Sequence, residues 1–162
     1  MALVLEGVKV RSLRFGYRSQ GDVLRAVGDW PVLANPPTAV RALVAMLRAY
    51  AKGGVVDFSH IEIADSAAGA GSPFAWRAIA ACRDIPFGET RTYAELAQMA
   101  GSRRAARAAG RCMATNAVPL IIPCHRVIGS DGKLHGYSAR GGLAMKRRLL
   151  ALEQGKSPRS RQ

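Results

Sequence analysis

The chain has 162 residues, enough to bury a core yet short for two large domains, so one compact unit or two small lobes is expected. A hydrophobic fraction of 49% with 22% charged residues is that of a globular protein and argues against general disorder. Twenty-four Lys and Arg against eleven Asp and Glu leave a net charge of +13, which points to a polyanion partner, with nucleic acid ahead of a membrane surface or a plain solubility bias. Cys82, Cys112 and Cys124 are an odd number without framework spacing and fit free thiols in a reducing cytosol. Met1 to Val10 carries no secretory pattern, no apolar run approaches a membrane span, and no C-x-x-C or H-x-x-x-H pair supports a metal site.

Leu3 to Leu5 and Val8 to Phe15 alternate apolar with basic residues around Glu6-Gly7, which predicts a hairpin with one covered face. From Thr38 to Lys52, the residues Val40, Leu43, Val44, Leu47 and Tyr50 recur at helical spacing between Pro36-Pro37 and Gly53-Gly54. A helix is expected there, laid over the hairpin. Val55 to Phe58 and Ile61 to Ile63 read as short strands, and the small residues from Ala64 to Gly71 as a linker. A boundary in that linker divides a small N-terminal α/β lobe (1–68) from a C-terminal lobe (69–155), followed by a basic tail (156–162) expected to be disordered.

Ser72-Pro73 is a cap and first-turn pair that opens a helix to about Cys82, with Phe74, Trp76 and Ile79 on its apolar side. Beyond Pro86 and Gly88, Thr92 and Glu95 have capping-box spacing and predict a helix from Tyr93 to Ala100, ended by Gly101. Ser102 then caps a helix from Arg103 to about Thr115. Two helices about a glycine turn form a helix-turn-helix, or equally an ordinary helical hairpin. The second helix favours DNA. Arg103, Arg107 and Arg111 form one stripe with Arg104 beside it, while Ala105, Ala106, Ala108, Ala109 and Gly110 keep the remaining surface low for a close duplex. A solvated arginine face is the rival. Gly129 to Gly132 reads as a turn, Leu134 to Gly142 as a glycine-rich loop, and Leu143 to Glu153 as a last helix stopped by Gly155.

Between these helices lies V-P-L-I-I-P-C-H-R-V-I-G, Val118 to Gly129, which sets a thiol at Cys124 directly before His125. The thiolate is the reactive form of cysteine, and a neighbouring imidazole oriented by a carboxylate can take the thiol proton. Taken alone, the pair is also compatible with a small buried cysteine beside a satisfied histidine.

The second half, from about Ser72 to Gly155, resembles the O6-alkylguanine-DNA alkyltransferase family. The resemblance rests on P-C-H-R-V at Pro123 to Val127, G-E-T-R-T-Y at Gly88 to Tyr93, A-A-R-A-A-G at Ala105 to Gly110, N-A-V-P at Asn116 to Pro119, and Tyr137-Ser138 with the following G-G-L-A to Ala144. It implies an α+β fold, with a small ribonuclease-H-like N-terminal lobe of antiparallel strands and a C-terminal helical lobe. A winged-helix-like helix-turn-helix there would enter the minor groove of double-stranded DNA containing alkylated guanine. Arg107 matches the finger that replaces the extruded nucleotide. Ala105, Ala106, Ala108 and Gly110 match the low surface, with Arg103 and Arg104 as further DNA contacts.

The flipped base would enter a pocket lined by Met113 and walled by Tyr137. Cys124 matches the alkyl acceptor, and His125, through a water, and Glu153 match the relay that makes its thiolate. Tyr93 matches the phenol that protonates a guanine ring nitrogen, and the Ser138 amide the donor to O6. Carbonyls of Cys124 and Val127 would accept from the exocyclic amine, with Asn116 bracing the turn. The thioether product resists water, so one molecule repairs one lesion, without cofactor or metal. The implied protein is a cytoplasmic monomer acting on nucleoid DNA, and the richness in Ala, Arg and Gly points to a GC-rich bacterial genome as its source; cooperative assembly and O4-alkylthymine repair stay open.

Two features depart from the family. Ala139-Arg140 lengthens the loop after Tyr137-Ser138, and the first half carries no matching motif and looks abbreviated. Three rivals remain at this point. One is an alkyltransferase-like protein that only binds damage, disfavoured because Cys124 is present. The others are a helix-turn-helix regulator with an incidental thiol, and a thiol hydrolase using Cys124, His125 and Glu153.

Overall fold

A computed structural model describes residues 1–68 and 72–155. Strands β1 (Ala2–Glu6) and β2 (Lys9–Arg14) form the expected antiparallel hairpin, Glu6 pairing with Lys9 across a turn in which Gly7 adopts φ 62°. Helix α1 (Gln20–Val27) is additional to the elements expected. Ser19 caps it, Oγ accepting from Asp22 N at 3.1 Å, and Gly28 ends it; the helix is eight residues long and buries only Val23. Helix α2 (Thr38–Ala51) follows the spacing closely and buries Val40, Leu43, Leu47 and Tyr50; the last three share a core cluster with Val10 and Leu13 of the hairpin.

Two expectations fail in the next segment. Residues 55–58 and 61–63 form no strands, and Ile63 makes a single parallel bridge to Val10. Arg83 is the cause: its guanidinium donates to the carbonyls of Phe58, Ser59 and Ile61 at 3.1, 2.5 and 2.8 Å, taking acceptors that a ladder would need. The linker is also partly structured. Asp65–Ala68 is a 3-10 turn, and Ala64 and Ala67 are buried, because side chains this small pack under the hairpin. Residues 69–71 of the expected linker and the 156–162 tail lie outside the described residues.

In the second half, α3 (Pro73–Arg83) begins as expected, with Ser72 Oγ accepting from Ala75 N at 3.1 Å. Its buried side differs. Ala75, Ala78, Ile79, Ala81 and Cys82 are buried while Trp76 is 38% exposed, since small residues let α3 sit close against its neighbours. The capping box at α4 (Tyr93–Met99) is complete, Glu95 N donating to Thr92 Oγ1 at 3.1 Å and Thr92 N to Glu95 Oε2 at 2.6 Å.

After Gly101 (φ 80°) the chain turns through Arg103 and Arg104, and α5 (Ala106–Ala114) starts three residues later than its sequence predicts. Ser102 does not cap it by its side chain; its carbonyl accepts from Ala105 N and closes the turn. Strands β3 (Arg91–Thr92) and β4 (Val127–Ile128) pair in parallel, and α6 (Gly142–Glu153) packs against the 3-10 turn Cys124–Arg126. One contiguous core extends from Val10, Leu47 and Tyr50 to Leu96, Val118 and Cys124, so the two halves share their interior.

Candidate active site

Cys124 sits at the end of a buried run, Val118 to Pro123, that is bent sharply. Leu120 is held at φ 78°, a conformation that costs a branched side chain about 1–3 kcal/mol and survives only where its surroundings impose it. Asn116 imposes part of it. Its Oδ1 accepts from Val118 N at 2.9 Å, and its Nδ2 donates to Ile122 O at 2.9 Å and to Cys124 Sγ at 3.0 Å. Asn116 therefore closes the loop, as expected, and also touches the sulfur. Cys124 is 2% exposed; burial pushes its thiol up, opposed by the Asn116 hydrogen bond and the Lys146 charge. The resting acceptor is a thiol that needs a base.

The neighbouring imidazole, His125, is completely buried. Nε2 lies 2.7 Å from Glu153 Oε1. The Glu153 carboxyl lies low, at about 2: burial alone would raise it, but hydrogen bonds from His125 and Arg126 prevail. An ionised carboxylate only accepts, so Nε2 carries the imidazole proton and Nδ1 keeps a lone pair, with no protein partner. Burial lowers the His125 pKa, against the pull of Glu153, and the resting ring is neutral. Arg126 completes the network: its Nε and Nη2 reach Glu153 at 3.0 Å, and its Nη1 donates to Ile85 O at 2.6 Å.

Other expected residues gather on the outer side of this network. An open cleft of about 570 Å³ is lined by Tyr93 at the start of α4, by Ala106, Arg107 and Gly110 of α5, and by Gly129 to Asp131 with His135. Tyr93 Oη is 3.4 Å from His135 O, and half-burial raises the phenol, keeping it protonated. Arg107 is exposed, with Ala105, Ala106, Ala108 and Gly110 part-buried around it. Ala109 is corrected: it is fully buried and belongs to the core, not to the low surface. Arg103 and Arg104 are also corrected, for they occupy the turn before α5, and only Arg107 and Arg111 remain of the predicted helical stripe.

Met113, on the buried side of α5, belongs to the cluster that contains Cys124, and the Tyr137 ring stands edge-on to His125 at 6.4 Å. Ser138 Oγ donates to Asn116 O at 3.0 Å, tying the glycine-rich loop to the thiol loop. Val127 O already accepts from Lys146 Nζ at 2.6 Å, leaving one lone pair for a ligand.

Three members of the site escape sequence reasoning. Arg126 lies inside P-C-H-R-V and could have been weighed with its neighbours. Lys146 reads as an ordinary helical cation, yet it is fully buried and holds Val127 O and His135 O. Tyr50 reads as core from its helical spacing, yet its Oη donates to Glu153 Oε1 at 2.6 Å. Among the described residues, no group of three His, Cys, Asp or Glu is placed to hold a metal ion.

Comparison with known proteins identifies the family. The family model described as "6-O-methylguanine DNA methyltransferase, DNA binding domain" matches residues 73–155. A methylated-DNA–protein-cysteine methyltransferase of Mycolicibacterium paratuberculosis is 44% identical over 124 residues, which is 76% of this chain and 71% of the relative. A crystal structure of the Mycobacterium tuberculosis O6-methylguanine methyltransferase superposes with a TM-score of 0.74 at 36% identity, covering 97% of this chain and 87% of that one. A crystal structure of Mycobacterium tuberculosis OGT in complex with DNA matches equally, with a TM-score of 0.74 over 97% of this chain and 88% of that one. The chain therefore belongs to the family of methylated-DNA–protein-cysteine methyltransferases.

Proposed function

We propose that this chain repairs DNA by one irreversible transfer of the alkyl group from O6-alkylguanine to Sγ of its own Cys124. The observation that carries the assignment is the buried set Asn116–Cys124 and His125–Glu153–Arg126, which supplies a thiol, a neutral base with a bare nitrogen and an ionised partner for the base. The thiol proton passes to His125 Nδ1 through a water, and Glu153 stabilises the imidazolium. Sγ bonds to the alkyl carbon as the carbon–O6 bond breaks, and the electron pair moves onto guanine. Tyr93 protonates a ring nitrogen, so guanine leaves neutral rather than as an anion, and its phenolate regains a proton from the imidazolium through solvent. The Ser138 amide steadies O6, and the carbonyls of Cys124 and Val127 accept from the exocyclic amine. The residual cost of flipping the base is met by contacts outside the pocket.

Those contacts come from α4 and α5. Arg107 replaces the extruded nucleotide from the minor groove, the small residues beside it admit the duplex, and Arg103 and Arg104 in the preceding turn meet phosphates. The same reading divides the chain into lobes 1–68 and 69–155, and takes the protein as a monomer acting on nucleoid DNA in a bacterial cytoplasm. No helix among the described residues is long and apolar enough to cross a membrane.

Incubation with duplex DNA containing O6-methylguanine, followed by mass spectrometry of the intact protein and its peptides, tests the assignment. One methyl group is expected on the peptide carrying Cys124, in at most equimolar yield. Repeated turnover, or an unmodified sulfur after lesion exposure, overturns it.

A further inference from the structure

The acid–base network draws on both halves of the chain. Tyr50 belongs to α2, yet it is 1% exposed beside His125 and Glu153, far along the sequence from either. Its Oη donates to Glu153 Oε1 at 2.6 Å and lies 3.2 Å from His125 Nε2, which is itself 2.7 Å from the same carboxylate oxygen. Packing alone does not call for this hydroxyl. The ring is held by Phe58 and Phe87, with centroids 6.0 Å away in each case, and phenylalanine would make the same contacts. A phenol at this depth carries a desolvation cost that phenylalanine avoids, so the hydroxyl is retained against packing.

What it adds is orientation. The Nε2–H of His125 finds two oxygens on one side of the ring, from Glu153 and from Tyr50. Reversing the imidazole would forfeit both and would turn Nδ1 away from its present position. Tyr50 also shares the Glu153 charge with Arg126, which limits how strongly the carboxylate favours an imidazolium.

We infer that Tyr50 is a positioning residue for alkyl transfer: from the first lobe, its hydroxyl fixes Glu153 and the Nε2–H tautomer of His125, so that Nδ1 stays free to take the thiol proton. The inference rests on the alkyl-transfer reading given above. The groups facing His125 are Glu153 and Lys146 from α6, Tyr50 from α2, Arg126 and Cys124 from its own turn, and the Tyr137 ring from the loop before α6. Loss of the Tyr50 donor leaves the Glu153 charge less shared and favours the imidazolium. The base is then neutral only at higher pH, and the acid limb of the transfer rate moves upward.

Single-turnover methyl transfer from O6-methylguanine duplex, measured across pH for the full chain, tests this with Tyr50→Phe, Glu153→Gln and the double variant. Tyr50→Phe should transfer about 10- to 100-fold more slowly at neutral pH, with its acid limb raised and its DNA affinity unchanged. In the Glu153→Gln background the second substitution should slow transfer no further, because Tyr50 acts through that carboxylate. A wild-type rate and pH profile for Tyr50→Phe, or equal slowing in both backgrounds, overturns the inference. Nitrogen-15 spectra of histidine in the wild-type protein give a readout that does not depend on a variant folding. His125 should be protonated at Nε2, and a ring protonated at Nδ1 overturns the inference. Failure of the wild-type chain to accept methyl at all would instead refute alkyl transfer, leaving the tautomer measurement to stand separately.

Discussion

Glu153→Gln should weaken the fold as well as the chemistry. The carboxylate receives Tyr50, His125, Arg126 and the Gly88 amide, all within about 3 Å, and its side chain has no exposed surface. Removing it leaves the Arg126 guanidinium, 7% exposed, without its counter-charge, and breaking one side of a buried pair costs about 3–5 kcal/mol. Titration gives a consistent figure. Burial would raise the Glu153 pKa, but the His125 and Arg126 bonds carry it from 4.5 down to about 2, and at about 1.4 kcal/mol per pH unit that gap is worth about 3 kcal/mol. The folded value lies below the unfolded one, so this stability is complete above about pH 4.5 and is lost as pH falls toward 2. His125, lowered by burial, adds a separate loss that begins higher, as pH falls through its unfolded value of 6.5. Urea unfolding of wild type and Glu153→Gln from about pH 7 to about pH 3 should show a gap of about 3 kcal/mol that narrows below 4.5. A gap under about 1 kcal/mol at neutral pH, or one of constant size down to pH 3, would refute the buried-pair account.

Cys124→Ala should abolish methyl transfer while keeping DNA affinity, checked by peptide mass spectrometry beside a gel-shift titration, because the sulfur is buried and makes no surface contact. Arg107→Ala should slow repair of duplex DNA far more than reaction with free O6-benzylguanine, as the extrusion role proposed for this exposed residue requires; equal losses on both would remove that role. Arg103→Ala or Arg104→Ala should weaken binding similarly across sequences and reduce the slope of log affinity against log salt by about 0.9 for each phosphate no longer neutralised. An unchanged slope would place these turn residues off the backbone.

Elements that carry their own local signals were legible in the sequence. The Thr92–Glu95 box, the Ser72-Pro73 start and the Tyr50 helix all appear within a residue or two of their expected bounds, because caps and periodicity are decided by neighbours along the chain. Features decided at long range were not. Strands expected around Phe58 and Ile61 are pre-empted by Arg83, more than twenty residues away. Helix α1 is a separate miss, since Ser19 and Gly28 bound it with local signals. In the site, Cys124, His125 and Asn116 share a short contiguous segment and could be read together. Tyr50 and Lys146 could not, since a buried phenol and a buried ammonium look in sequence like a core aromatic and a surface cation.

The directions of the ionisations bear on why a protein that reacts once keeps its nucleophile this way. Burial holds Cys124 as a thiol and His125 as a neutral ring, so neither reactive charge stands exposed before a lesion arrives. Asn116 and Lys146 oppose that burial at the sulfur, and Glu153 opposes it at the imidazole, so the ion pair is within reach of the resting state. An extruded guanine entering beside Tyr93 would exclude water from the cleft and bring the alkyl carbon to the sulfur, and charge would separate only as the carbon–oxygen bond yields. A thiolate maintained in the resting protein would react with any small electrophile able to reach it, and each such event would remove one repair molecule. The ordering implies that iodoacetamide should modify Cys124 much more slowly than lesion DNA does at neutral pH, and slowly relative to the half-exposed Cys112. Rapid labelling of Cys124 by the small reagent would mean that the thiolate is formed before the base arrives.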